Sequence, residues 1–336
     1  DAGDSGAIPS LFLRLSIFPV GRRSAARPSA GNANRSAATE SNTGNIEMIS
    51  HLVRMVGFTI FILLCVFYPF FPGQYDSLAM PLSITAQVGV AIGLLLVPIG
   101  ILWLTYELRK QAQRKRNLTA NPRRYYFTLV SSIAFSIIAI AISLVSFATV
   151  GFSLAIISII VWAIIFSKLL PNLKSMKDVE RDNFCPAPIY FVFVPVVSIL
   201  LQLVLGTPIT NFSRDYAIAN SSEYISDIEQ YHAQYGNYPS SLLAMWKDYY
   251  PNVVGVEKFH YTPSDNAYNL FFEQPRLLFD NIGTREWVVY NPLDEHQMFS
   301  HTSWFLLLTP NELERSQGWY AVHDTIHPHW KYFWFD

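Results

Sequence analysis

Three histidines near the end of the chain have the side-chain type that most often binds metals. His323, His327 and His329 lie close together, and Asp324 adds a carboxylate. Imidazole and carboxylate ligands suit zinc and related ions. The spacing matches no established ligand signature, and Pro328 makes the stretch between the last two histidines rigid and extended. We therefore expect no metal and no cofactor, and these histidines are the chain's weak metal candidates.

Tryptophans and carboxylates form two further groups that can carry chemistry. The tryptophans that can stack on sugars, or fill the core of a small domain, are Trp287, Trp304, Trp319, Trp330 and Trp334. The carboxylates in loop-like sequence, which we interpret as solvated, are Asp294, Glu295, Glu312 and Glu314. The sequence contains no nucleophile elbow and no phosphate loop. We expect no enzymatic activity.

Composition indicates a membrane protein. Of the 336 residues 51% are hydrophobic and 15% are charged, and the formal net charge is −1. A soluble domain has about 25% charged residues. Crossing the hydrocarbon takes about 20 apolar residues, and residues 53–71, 82–104 and 188–206 each meet that length. The apolar run 126–170 suits two spans with a break near Gly151, which makes five transmembrane helices.

The loops between the spans set the orientation. Residues 105–125 and 171–187 are rich in Lys and Arg, whereas residues 72–81 and the turn at Gly151 have none. The positive-inside rule then places both basic loops and the N-terminus in the cytoplasm, and residues 207–336 outside. We expect a bacterial cytoplasmic (inner) membrane with a periplasmic C-terminal domain. Nucleic acid is not an expected partner, because no binding fold accompanies the basic loops.

The spans lack acidic residues, lysines and histidines at mid-depth, which argues against an ion-coupled transporter. Arg54 and Glu107 lie at span ends, where we expect their side chains to reach the membrane surface. The polar residues that we expect to form hydrogen bonds between helices are Thr85, Gln87, Ser131, Ser132 and Gln202.

The residues ahead of the first span, 1–47, are rich in Arg and Ser and poor in acids. Such a segment can be a transit peptide. We favour the interpretation that the given sequence starts ahead of the true initiator, Met48. The other interpretation is that the segment is a disordered cytoplasmic tail. In each case the segment cannot bury a core.

After the last span, an apolar stripe predicts a helix over residues 214–235. Its members are Tyr224, Ile228, Tyr231 and Tyr235. Gly236 is the expected helix stop, Pro239 prevents the helix from resuming, and Ser240 or Ser241 caps a short second helix. Gly206 and Pro208 should break this helix from the span, so that the domain packs down onto residues 72–81 and Gly151 or onto a neighbouring subunit.

Period-two patterns predict hairpins after this helix. The first pairs residues 259–261 with 268–272, and the second pairs 276–279 with 287–290. Further strand candidates are residues 304–308, 319–322 and 331–335. A helix followed by hairpins is an α+β arrangement. The domain carries an excess of carboxylates, which disfavours anionic lipid and nucleic acid as its ligands.

The sequence around Gly236, Tyr238 and Pro239 reads Gln-Tyr-Gly-Asn-Tyr-Pro-Ser-Ser-Leu after an amphipathic helix. With the strands that follow, residues 218–270 resemble type IV pilins and the pseudopilins of type II secretion. The resemblance implies a pilin-like α+β fold in which these three residues form a structural turn. Pilins have one membrane helix beside a Gly-Phe-Thr-Leu-Ile-Glu processing site. Here the partial match Gly57 to Ile62 lies far away and has Ile62 in place of Glu.

The sequence therefore predicts a membrane α-helical protein with an extracytoplasmic α+β domain. Its parts are residues 1–47, a five-helix membrane domain over 48–207 and a pilin-like domain over 208–336. The expected function is a non-enzymatic structural or accessory subunit of a membrane assembly, with membrane lipid and other membrane proteins as partners. The alternatives are a transporter or permease component with an outer lid domain, and an envelope carbohydrate-binding protein.

The predicted orientation can be tested with a reporter enzyme that is active only in the periplasm. A fusion after Asp336 should be active, whereas a fusion after Lys115 should be silent, because the basic loop stays in the cytoplasm. Reporter activity measured in whole cells in the opposite pattern would disprove the orientation.

Overall fold

The structure is a computed structural model, and it describes residues 33–115, 124–150, 152–178, 184–263, 266–280, 284–299, 305–307 and 320–335. The chain divides into two compact units, Asp1–Ser50 and His51–Asp336. The first contributes the start of a helix at Ala33. The second contains the rest of that helix, the remaining helices and the sheet.

Most of the described chain is helical. The helices are α1 (Ala33–Phe67), α2 (Ala79–Gly93), α3 (Val97–Lys115), α4 (Arg124–Val150), α5 (Phe152–Asp178), α6 (Ala187–Asn220) and α7 (Ser222–Tyr235). A 3-10 turn, Leu94–Leu96, joins α2 to α3. Four helical stretches in the described part are long and apolar enough to cross a membrane: Met48–Phe70, Ala79–Arg114, Arg124–Ala148 and Ala187–Tyr235. The apolar part of α5, Ala155–Leu169, is shorter.

The strands follow the helices. They are β1 (His260–Pro263), β2 (Tyr268–Gln274), β3 (Arg285–Tyr290), β4 (Gln297–Phe299), β5 (Phe305–Leu307), β6 (Tyr320–Asp324) and β7 (Trp330–Phe335). An antiparallel sheet has the order β1-β2-β3-β7-β6, and β4 pairs with β5 separately. The predicted first hairpin is confirmed, with Tyr261 opposite Leu270.

The second predicted hairpin is wrong. Residues 276–279 form no strand, and β3 pairs directly with β2, with Leu270 opposite Tyr290. Pro275, which has no N–H to donate to a strand partner, precedes the segment. Beyond it the chain leaves the sheet, and the Leu278 amide donates to Gln87 Oε1 on α2 at 2.8 Å.

The predicted break at Gly206 and Pro208 is also wrong, because α6 continues through both residues. Only Ser221 separates α6 from α7, and its dihedrals stay right-handed helical (φ −82, ψ −12). Gly206, Thr210 and Ser213 are buried along one face of α6, and a Cβ on Gly206 would lie 2.8 Å from Leu277. Packing on this face stabilises the helix against the hydrogen bond that Pro208 removes.

The sheet nevertheless packs down onto the loop between α1 and α2, as expected. Val254 exchanges backbone hydrogen bonds with this loop, donating to Phe71 O and accepting from Asp76 N at 2.9 Å each. Gly73 N donates to Asn252 O at 2.8 Å. We call these paired segments, 69–76 and 252–255, the strap. The other expected contact, Gly151, lies outside the described residues.

The core of the C-terminal part lies between α7 and the sheet. Tyr224 and Ile228 of the apolar stripe are fully buried, and they pack in one cluster with Phe259, Leu270 and Phe272. The stripe is therefore covered by the first hairpin, as its periodicity predicted. Tyr235 at the far end is 58% exposed.

Two expectations for the spans are wrong. Glu107 does not reach the surface, because it is 2% exposed and binds Arg124 through both carboxylate oxygens, at 2.7 and 2.6 Å. Gln87 bonds to the outer loop at Leu278, and Ser132 bonds within its own helix. A bond between helices comes from Ser83, whose hydroxyl donates to Val66 O at 2.5 Å.

Replacing Gly236 tests the end of α7. Its φ is +78 and a Cβ there would meet no atom within 4 Å, so a side chain costs backbone strain alone. Gly236→Val should therefore lower the free energy of unfolding by about 1–3 kcal/mol. Denaturant unfolding of the whole chain in mild detergent measures it. Gly236→Asn is the matched control, since Asn tolerates this conformation, and equal losses in both variants would contradict the assignment.

Candidate interaction surface

The turn after α7 reverses the chain beside the first hairpin. Gly236 adopts the left-handed conformation, and its N–H donates to His232 O at 2.8 Å, which confirms the predicted helix stop. The Tyr238 ring stacks on His232 with centroids 4.1 Å apart. The carbonyl of Pro239 accepts from the Tyr261 hydroxyl at 2.8 Å, which ties the turn to β1.

A short 3-10 helix, Leu242–Met245, follows the turn. Ser241 occupies its N-cap position but makes no side-chain cap, so the expected serine cap is absent there. Met245 packs against the core, whereas Leu243 is 84% exposed and Trp246 is 95% exposed. Trp246 follows this helix as its C-cap, and its N–H donates to Leu243 O at 3.3 Å. We call the exposed residues Leu243, Trp246 and Tyr250, the last 60% exposed, the Trp246 patch.

The chain after Trp246 makes contacts with α7. Lys247 Nζ bonds to Glu223 Oε1 at 2.6 Å and to Asp227 Oδ2 at 2.7 Å, and these carboxylates raise the pKa of Lys247. Tyr249 stacks on the buried Tyr224 with centroids 4.0 Å apart. Trp246 itself has φ +52, which costs a non-glycine residue of order 1–3 kcal/mol. The chain is thus held in a strained conformation that keeps a large apolar side chain in solvent.

An exposed, rigidly held tryptophan next to a leucine suits recognition and not catalysis. Tryptophan is enriched among the residues that dominate binding energy at protein interfaces. Burying such a side chain removes about 150–250 Å² from water, which at about 25 cal/mol per Å² is roughly 4–6 kcal/mol. The patch is therefore able to anchor a protein partner.

The three candidate histidines point to three different environments. His323 stacks on Tyr332 at 4.7 Å between ring centroids, and burial lowers its pKa. His327 Nε2 lies 3.2 Å from Asp215 Oδ1 on α6, and His329 Nδ1 lies 3.2 Å from Asp294 Oδ2. Within the described residues, no three His, Cys, Asp or Glu side chains lie close enough to hold a metal ion.

The tryptophans do not line a common face. Trp330 is buried in the core, Trp334 donates to Glu286 Oε2 at 2.8 Å, and Trp287 packs against Phe271. Trp304 and Trp319 lie outside the described residues, as do the carboxylates Glu312 and Glu314. Of the other two carboxylates, Asp294 meets His329 and Glu295 is exposed.

Sequence reasoning missed a buried charge cluster that joins α6 to the sheet. Arg214 on α6 donates from Nε and Nη2 to Glu286 Oε1 on β3, at 2.9 and 2.6 Å. Arg214 is 6% exposed and Glu286 is 1% exposed. The Arg214 guanidinium also lies over the Tyr332 ring, 3.8 Å from its centroid. A signal was present, because Arg214 is the only Lys or Arg between Arg181 and Lys247.

Comparisons with protein-family models, with curated proteins and with solved structures find no match to this chain. The resemblance to pilins accordingly rests on the residues around Gly236 alone.

The buried pair and an exposed pair on the same sheet allow a matched test. Glu286→Gln leaves Arg214 buried without its charge partner, which should lower the free energy of unfolding by about 3–5 kcal/mol. Glu273→Gln breaks the exposed pair with Arg285, whose side chains are 40% and 64% exposed, and should cost less than about 1 kcal/mol. Denaturant midpoints of the two variants in detergent give the comparison. Similar losses would show that the Arg214 pair does not join α6 to the sheet energetically.

Proposed function

We propose that this protein is a non-enzymatic, multi-pass membrane protein that displays a pilin-like domain outside the membrane as a structural or accessory subunit of a membrane assembly. The single observation that carries the proposal is the Trp246 patch, an apolar surface on a fixed backbone. The partner that it fits is another protein subunit with an apolar groove.

The attachment of the domain supports a display role. The strap and the bond from Leu278 to Gln87 tie the sheet to α2 and to the loop before it. The pair of Arg214 and Glu286 ties the sheet to α6. A domain fixed at several points presents its surface in one orientation, which lowers the ordering cost of binding.

The height of the patch favours a protein partner over the bilayer. Lys247 binds to α7 at Glu223 and Asp227. These residues follow Gly206, the end of the predicted span, by 17 and 21 positions. At 1.5 Å per residue the patch stands roughly 25–30 Å beyond the span. A lipid surface at that span end does not reach it.

The proposal includes a fifth span and an orientation. α5 has an apolar stretch, Ala155–Leu169, and packs beside α4, where the Phe135 and Trp162 rings stack at 6.4 Å. With α5 as a span, the basic loops lie on the cytoplasmic side of a bacterial inner membrane and the sheet lies in the periplasm. The chain does not match the processing site of pilins. The pilin-like turn then belongs to a domain that is displayed outside the membrane.

Photo-crosslinking from position 246 in native membranes tests the proposal. A crosslinking residue in place of Trp246 should give one discrete protein adduct. The same residue in place of Ile326, another apolar side chain that is 83% exposed, should give none. Adducts of equal yield from both positions, or none from either, would refute the proposed interface.

Trp246→Asn separates binding from folding. Because Asn tolerates positive φ better than Trp, the free energy of unfolding should stay constant or rise by a few tenths of a kcal/mol. Loss of a binding anchor worth 2 kcal/mol or more should weaken retention of the crosslinked partner at least about 30-fold, measured by quantitative co-purification in mild detergent. Ile326→Asn is the control. A destabilised Trp246→Asn that keeps its partner would assign Trp246 to the fold.

A further inference from the structure

A cavity of about 380 Å³ lies where the sheet meets the beginning of α2. Its apolar side includes Met80, Ile84 and Leu277, and its polar side includes Lys258, Arg276 and Arg285. Ligand pockets in proteins have volumes of about 300–1,000 Å³. The cavity is therefore large enough for a small polar group that carries an apolar extension.

The apolar side of this cavity lies at the edge of the predicted membrane region. Met80 and Ile84 are on the first turns of α2, close to where the predicted span starts at residue 82. Leu277 packs against the buried cluster formed by Val66, Phe67 and Phe70 at the end of α1. Groups on this side therefore face the zone between lipid headgroups and acyl chains.

The polar side has an excess of positive charge. Its cations are Lys258, Arg276 and Arg285 and its carboxylates are Glu257 and Glu273, so three positive charges face two negative ones. The remaining ionisable imidazole, His260, has its pKa lowered by burial and by Lys258. Cations therefore outnumber carboxylates by one among the lining residues, whereas Asp280 and Glu286 lie beside Arg276 outside the lining.

Arg276 is the fixed part of this charge. Its side chain is 6% exposed, Nη1 bonds to the Thr284 hydroxyl, and Nε and Nη2 have no hydrogen-bond partner among the residues that the structure describes. The carboxylates nearest to those two nitrogens are Glu286, 3.9 Å from Nε, and Asp280, 3.4 Å from Nη2. Glu286 already accepts from Arg214, so its charge is shared between two guanidiniums.

The mouth of the cavity carries the movable part of the charge. The side chain of Lys258 is 57% exposed, and its ion pair with Glu257 is long, at 3.7 Å. Arg285 is 64% exposed and holds Glu273 at 2.8 Å. Both side chains are able to turn toward an anion at the mouth, in front of the buried guanidinium of Arg276.

We propose that this cavity binds the phosphate headgroup of an anionic phospholipid from the outer leaflet. The phosphate meets Lys258 and Arg285 in the field of Arg276, and the glycerol and first acyl carbons lie along Met80 and Ile84. The lipid would fill the junction between the sheet and α2 beside the strap. The inference rests on the outer placement of the sheet but not on the Trp246 patch.

Binding can be measured on the whole protein, delipidated in mild detergent, by native mass spectrometry with three probes. These are dioctanoyl phosphatidylglycerol, dioctanoyl phosphatidylcholine and inorganic phosphate. The anionic lipid should bind most tightly. With about 1 kcal/mol for each basic residue near a phosphate, Lys258→Gln combined with Arg285→Gln should weaken it about 30-fold. Lys331→Gln, a cation of the same sheet outside the cavity lining, is the matched control.

Ile84→Trp provides an independent variant, because it fills the apolar side without changing charge. It should reduce binding of the anionic lipid at least about tenfold and leave inorganic phosphate unaffected. Equal affinities for the two lipids, phosphate binding as tight as the lipid, or full binding by both variants would overturn the proposal. Crosslinking from position 246 is read separately, so failure of the lipid site and failure of the protein interface are distinguishable.

Discussion

The ion pair between Arg214 and Glu286 is the constraint on which the arrangement of this protein depends. It joins a helix that has no charged residue in its first 27 positions to the central strand of the sheet, in a place where both charges are almost fully buried. A buried charge is tolerated only when its partner is present. The sheet therefore cannot move away from α6 without leaving a guanidinium and a carboxylate unpaired in a poorly solvated place.

The other contacts between the sheet and the helices fit the position of the sheet that the ion pair fixes. The strap joins residues 252–255 to the loop before α2, and Leu277 fills the space above Gly206. Each contact uses backbone groups or close packing, so each tolerates little displacement. This fixed position of the sheet exposes the Trp246 patch and closes the cavity over Met80.

Local patterns predicted the elements that local physics controls. A few neighbouring residues specify each of these elements, and all of them are present. They are the apolar stripe with Tyr224 and Ile228, the helix stop at Gly236 and the first hairpin. Two predictions that needed partners distant in sequence were wrong. Pro208 does not break α6, because packing against Leu277 outweighs a lost hydrogen bond, and residues 276–279 leave the sheet for Gln87. Arg214 and Glu286 are 72 residues apart, so the isolation of Arg214 in sequence marks that residue but does not identify its partner.

Because α6 continues into α7, a tilt at one end of this helix pair moves the other end sideways, as in a lever. From Gly206 to Tyr235 the helix extends about 44 Å at 1.5 Å per residue. Transmembrane helices change tilt when bilayer thickness changes, and here the strap makes the sheet lean with them. A tilt of about 10° at Gly206 displaces the far end of α7 sideways by about 8 Å over that length. A change in membrane thickness is thus converted into lateral movement of the far end of α7.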